Sequence, residues 1–195
     1  MTFSQKQALM TTWRILKTQA NTLARKIFTD LEIASPKVKD IFYKAALVDC
    51  FVNKEPKRGA TMDDHIKLLI QFFDDLIANI ECETTTISMI KQVGQQHAIL
   101  SQTCGFHSDI WEKLGEIAME KICSTDIVQK TREAGRAWRC IIAFVTDELR
   151  CGFDGESRVF SRRSSAEHLF EENNEDLCQK LQQMRMDYTS TVPMN

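Results

Sequence analysis

Four histidines stand in this 195-residue chain: His65, His97, His107 and His168. Two of them have the setting that coordination chemistry needs. On a helix, His65 shares a face with Leu69, Phe72 and Leu76, and His97 shares one with Ile90, Val93 and Leu100. Neutral imidazole is both a metal ligand and a proton acceptor. Taken singly, each reads as a hydrogen-bonded core histidine. Taken as a pair on separate apolar helices, they could supply the axial nitrogens of a haem iron. A porphyrin also needs apolar walls, each contributing about 1.5–3 kcal/mol when its side chain is fully buried. Phe28, Phe42, Leu69, Ile90, Val93, Leu100, Phe106, Ile110, Trp111 and Leu114 have the types for such walls, and equally for plain core. His107 follows Phe106 at an expected helix start and His168 lies in the tail, so neither competes as an axial ligand.

The elements that position these residues are helical. A 3.6-residue period runs through most of the first 150 residues. Ser4 with Gln7 resembles a capping box opening the first helix, whose inner face is Leu9, Trp13, Leu16 and Ala20. Leu23, Ile27, Phe28 and Leu31 form a second amphipathic piece. Ser35-Pro36 caps a short third helix with Val38, Ile41 and Phe42. Residues 43–60, with Lys54-Glu55-Pro56-Lys57-Arg58-Gly59, read as a mobile connection. Thr61 and Asp64 open a strong helix through Ile66, Leu69, Ile70, Phe73, Leu76, Ile77 and Ile80. The piece carrying His97 follows and Gly105 breaks it. Ser108 caps the next helix, with Trp111, Leu114, Ile117, Ala118 and Ile122. The last long helix is expected from about Thr125 to Leu149, ending at Gly152. Beyond it the chain turns polar, and 166–186 could form a weak helix through Leu169, Leu177, Leu181 and Met184. This divides the chain into a domain over 1–152 and a partly helical or disordered extension over 153–195.

Composition excludes several classes. Three prolines and seven glycines among 195 residues favour an all-α protein over a sandwich or barrel. A net charge of −2 argues against nucleic-acid binding and gives no support for electrostatic membrane attachment. No apolar run is long enough for a transmembrane helix. The start of the chain has no apolar signal core, and a cytoplasmic location is expected. The seven cysteines (Cys50, Cys82, Cys104, Cys123, Cys140, Cys151 and Cys178) have no metal-knuckle spacing, so reduced thiols are expected.

The order of these landmarks resembles the globin family, nematode globins in particular, over about residues 4–152. Pro36 followed six residues later by Phe42 is similar to the globin C helix and the corner after it. His65 to Ile80 resembles the E helix, beginning at a distal histidine. Val93 to Ala98 resembles the F helix with its proximal histidine. Gly105-Phe106, then Ile110, Trp111 and Leu114, look like the following corner and G helix, and Ala137-Trp138 like the H helix. Trp13 matches the tryptophan common in the A helix, and Phe28 the place of a distal-pocket side chain. The pattern departs in two places. The stretch from His97 to Trp111 is a few residues longer than in vertebrate globins, and Leu68 stands where many globins carry a lysine near a haem propionate.

The resemblance implies a three-over-three helical fold, helices A to H, with a C-terminal extension. It implies haem b (iron protoporphyrin IX) lined by the side chains named above, His97 as the proximal ligand and His65 on the distal side. His65 would either hydrogen-bond bound oxygen or bind the iron as a sixth ligand. The preferred expectation is a six-coordinate bis-histidyl globin of the neuronal type, acting in electron transfer, redox chemistry or oxygen-sensing signalling. The alternatives are a pentacoordinate oxygen-binding or storage globin, and a haem-free helical interaction module whose tail recruits a partner. An enzyme is not favoured, because no further acid–base pair stands beside the histidines. Expected partners are O2, CO or NO, a redox partner, a second copy in a homodimer, and a signalling partner for the tail. Arg162-Arg163-Ser164-Ser165 could be a kinase site, where phosphate adds about −1.5 to −2 charge, or a solvated linker.

Overall fold

The fold is built around α9 (Arg132–Glu167), 36 residues long and the last helix among the described residues. In this computed structural model the described residues are 1–53 and 62–167. Against α9 pack α1 (Phe3–Leu16), α5 (Glu83–His97), α7 (Asp109–Cys123) and α8 (Asp126–Gln129). A second layer comes from α2 (Ala20–Ala34), which crosses α7 and also meets α3 (Lys37–Asn53) and α4 (Met62–Ala78). The short α6 (Ile99–Thr103) follows α5 and touches α3. A single 3-10 turn, Lys17–Gln19, joins α1 to α2. The described residues contain no strand.

One core fills the space between the layers. Leu9, Leu16, Leu31, Ile66, Leu76, Ile90, Trp138 and Ile141 are its largest nearly inaccessible side chains. Helical spacing explains the choice, since Ile66, Phe72, Leu76 and Ile77 all fall on the buried stripe of α4. Trp138 keeps its indole N–H satisfied by donating to Thr12 Oγ1 at 2.9 Å, and Thr12 in turn donates to the Ala8 carbonyl at 2.7 Å. Trp13 donates to Asp74 Oδ1 at 2.9 Å, tying α1 to α4.

Four local expectations are corrected. The capping box is Thr2 with Gln5, not Ser4 with Gln7, so the first helix starts earlier. The third helix is not short: it runs to Asn53 and occupies part of the stretch read as a connection, while 54–61 lie outside the described residues. Ser108 holds the cap position of α7, but its side chain makes no capping bond. The last helix does not stop at Gly152, because this glycine serves a helix crossing. A Cβ there would come within 2.2 Å of the Lys91 carbonyl oxygen, and one at Gly94 within 2.1 Å of the Leu149 carbonyl oxygen. The two glycines therefore let the backbones of α5 and α9 touch. The helix continues past this contact and buries Phe153 in the core. The weak helix read over 166–186 and the residue His168 lie almost wholly outside the described residues.

Candidate functional site

His97 is the last residue of α5, and its ring is tied to its own helix. Nδ1–H donates to the Val93 carbonyl at 2.8 Å, one turn back. A carbonyl can only accept, so the proton sits on Nδ1 and the lone pair is left on Nε2. This is the hydrogen bond expected of a histidine that ligates a metal. Beyond it, α6 ends at Cys104 and Gly105 takes a left-handed φ of 75°. That turn brings Phe106 back onto His97, with ring centres 6.1 Å apart, and Phe106 N–H donates to the Leu100 carbonyl at 3.0 Å. Trp111, from α7, stands edge-on to His97 at 5.2 Å.

His65 faces this assembly from α4. Its ring centre lies 6.1 Å from that of His97. Phe28 of α2 and Phe42 of α3 each approach it at 5.4 Å, and they meet each other edge-to-face at 5.7 Å. His65 makes no hydrogen bond among the described residues. Protein surrounds both imidazoles, and this holds both neutral. Burial, with the neighbouring His97, lowers the His65 pKa to about 4. Burial also lowers that of His97, opposed by its hydrogen bond to Val93. Taken as whole residues, both histidines are half-buried.

Six of the side chains singled out in the sequence thus form one connected set of rings: Phe28, Phe42, His65, His97, Phe106 and Trp111. Leu69, Ile90, Val93, Leu100, Ile110 and Leu114 belong to the surrounding apolar cluster, with Ile90, Leu100 and Ile110 fully buried. His107 is exposed. Phe153 was missed. It packs on Phe106 at 5.2 Å and on Trp111 at 6.4 Å, backing the proximal side. Its signal was the stripe Trp138, Ile141, Val145, Leu149, which Phe153 continues at the next turn. The described residues contain no cluster of three or more His, Cys, Asp or Glu suited to a bare metal ion. Cys82, Cys104, Cys123, Cys140 and Cys151 are free thiols.

Two opposed imidazoles inside an all-helical double layer define a globin architecture, and sequence comparison agrees. The globin family profile matches residues 25–149, and the chain belongs to the globin family. It is similar to Globin-like protein 9 of Caenorhabditis elegans, 56% identical over 196 residues, covering 99% of this chain and 78% of that protein. Globin-like protein 9 of Caenorhabditis briggsae is 55% identical, with 99% and 80% covered. Among solved structures, a hexacoordinated heme protein from an anhydrobiotic tardigrade superposes with a TM-score of 0.62 at 19% identity. It covers 79% of this chain and 96% of its own, so the shared feature is the fold. No helix among the described residues is long and apolar enough to cross a membrane.

Proposed function

We propose that this globin binds haem between His97 and His65 and that both histidines ligate the iron. One observation carries the reading: two neutral imidazoles face each other at 6.1 Å, and one of them has its Nε2 lone pair fixed by a backbone hydrogen bond. An iron held between two imidazole nitrogens sets the ring centres roughly 6 Å apart, since each metal–nitrogen bond is about 2 Å. The residues present therefore fit the group. His97 would hold it on the proximal side, and Phe28, Phe42, Leu69, Phe106 and Trp111 would wall it from water. Bound haem, of the protoporphyrin IX type in this reading, would supply one-electron redox chemistry and a site for O2, CO or NO.

The chain's own residues set which of these dominates. His65 must leave before an external ligand enters, so apparent ligand affinity falls with the open fraction. Retaining both ligands in both oxidation states suits electron transfer or sensing more than bulk storage. The many thiols and the polar segment after the core support a signalling role with a protein partner in the same compartment, the cytoplasm in this reading.

The absorption spectrum of purified protein tests the proposal. A Soret band is expected, with sharp, resolved visible bands in the unliganded ferrous state. His65→Leu should merge those bands into one broad band and raise the CO association rate at least tenfold, while His97→Leu should abolish stable haem retention. Absence of a Soret band would overturn haem binding. A broad band in the unaltered protein would overturn the bis-histidyl form alone.

A further inference from the structure

The haem reading leaves one polar group beside His97 unaccounted for. Trp111 is 5% exposed, and its indole Nε1 is fully buried with no hydrogen-bond partner. The other two tryptophans satisfy the same group, Trp13 on Asp74 and Trp138 on Thr12. Buried donors without acceptors are rare in folded proteins, and each calls for an explanation. Apart from Trp111 Nε1, the only buried side-chain atom without a hydrogen bond among the described residues is Glu148 Oε2, an acceptor that still has an ion pair with Lys91 at 3.5 Å. Among the described residues Trp111 is thus the one buried side-chain donor without a hydrogen bond, and its ring centre lies 5.2 Å from that of His97.

Resting on the haem reading, we infer that the Trp111 indole N–H is a donor reserved for a carboxylate of the bound porphyrin. The porphyrin nitrogens are spent on the iron, so the propionates are its only strong acceptors. Three lysines on the helices that carry site residues are engaged in surface ion pairs. Lys67, exposed on α4, pairs with Asp64 at 3.0 Å, and Lys91 on α5 pairs with Glu148 at 3.5 Å. Lys113 on α7 pairs with Asp109 at 3.7 Å. A neutral donor reaching a charged acceptor gives a stronger bond than one between neutral groups. It also fixes which way round the porphyrin sits on His97. Trp111 therefore positions the group, while His97 ligates it.

The experiment compares Trp111→Phe with unaltered protein, each reconstituted with protohaem and with an iron porphyrin that carries no carboxylates. Phenylalanine keeps one aromatic ring and removes the N–H donor together with part of the indole's packing, a loss the carboxylate-free porphyrin controls for because it affects both porphyrins alike. The expected result is at least tenfold faster loss of protohaem from the variant, about 1.4 kcal/mol on the usual scale, with little change for the carboxylate-free porphyrin. Equal acceleration for both porphyrins would assign Trp111 to ring packing and overturn the inference, as would no acceleration for either. Should the variant not fold, the unaltered protein still decides. In its diamagnetic CO complexes, the Trp111 indole N–H resonance must shift between the two porphyrins, and an unchanged resonance overturns the inference. Failure of the unaltered protein to take up either porphyrin would instead sink the haem reading itself.

Discussion

The two sides of the ring cluster are held in different ways. On the proximal side, His97 has a backbone hydrogen bond, two ring neighbours backed by Phe153, and a helix whose backbone rests directly on α9 through Gly94 and Gly152. On the distal side, His65 has no hydrogen bond among the described residues and is flanked by the edges of Phe28 and Phe42, while α4 packs on α2 with no glycine in either helix. A hydrogen-bonded ring on a clamped helix has one geometry. A ring held by edge contacts can trade them for others at little cost, because each aromatic pair contributes about 0.5–1.5 kcal/mol beyond its burial. In the proposed haem complex a firm ligand would therefore face an exchangeable one, which is the asymmetry a reversible sixth ligand requires.

The sharpest way to break this contrast is at the helix crossing. Gly94→Ala drives a methyl group to 2.1 Å from the Leu149 carbonyl oxygen, closer than atoms can approach, so α5 must lift from α9. We expect a loss of about 3 kcal/mol or more in urea unfolding, at the upper end for overpacked sites, together with faster haem loss. Gly152→Ala should match it through Lys91. A loss below about 1 kcal/mol would mean that the proximal helix is not clamped.

Acid titration of the haem-free protein separates the two sides next. An unfolded histidine titrates near 6.5, whereas His65 in the fold does so at about 4. Between those values the unfolded chain binds more protons. Stability should therefore be level above pH 6.5 and fall as the pH drops toward 4, by up to about 3 kcal/mol for His65. His97, also lowered, adds in the same direction. His65→Leu should remove the His65 share of that slope, as read from urea midpoints at several pH values. An unchanged slope would remove burial of His65 from the account.

The smallest effect is expected at the far end of the proximal helix. Cys82, at the N-cap of α5, shares hydrogen bonds with the Thr85 and Thr84 hydroxyls, which favour its thiolate and lower its pKa to about 7. Its alkylation rate should rise through a midpoint near pH 7, and Thr85→Val should move that midpoint upward by a fraction of a unit. The haem spectrum should stay unchanged, since the α5–α9 crossing lies between Cys82 and His97. A spectral change on alkylation would show that the clamp transmits motion along α5.

Much of this was legible in the sequence because it is periodic. The inner faces of α1, α2, α4 and α7 follow from apolar spacing alone, and His65 and His97 could be placed on inward stripes without knowing what they faced. What failed was local chemistry overruled by distant contacts. Gly152 has the residue type of a helix stop, and only the approach of α5, some sixty residues earlier, shows that its missing side chain admits a neighbouring backbone. Reading it as a stop also hid Phe153, one residue further on. Thr2 was passed over as a cap because Ser4 offers the same chemistry two residues later, and sequence cannot rank two adjacent oxygen-bearing caps. The unpartnered state of the Trp111 N–H was invisible for the opposite reason, since an absent partner leaves no trace in a sequence.

His97 closes α5, and that position has an electrical consequence. The peptide dipoles of a helix sum to roughly half a negative charge at its C-terminal end. The 15 residues of α5 deliver that charge beside the imidazole that points at the site. A cation held on the free nitrogen sits in a field that favours more positive charge, and so the higher of two oxidation states. In the proposed haem complex, the same helix end that would aim the ligand would thereby bias the reduction potential downward before any side-chain charge is counted.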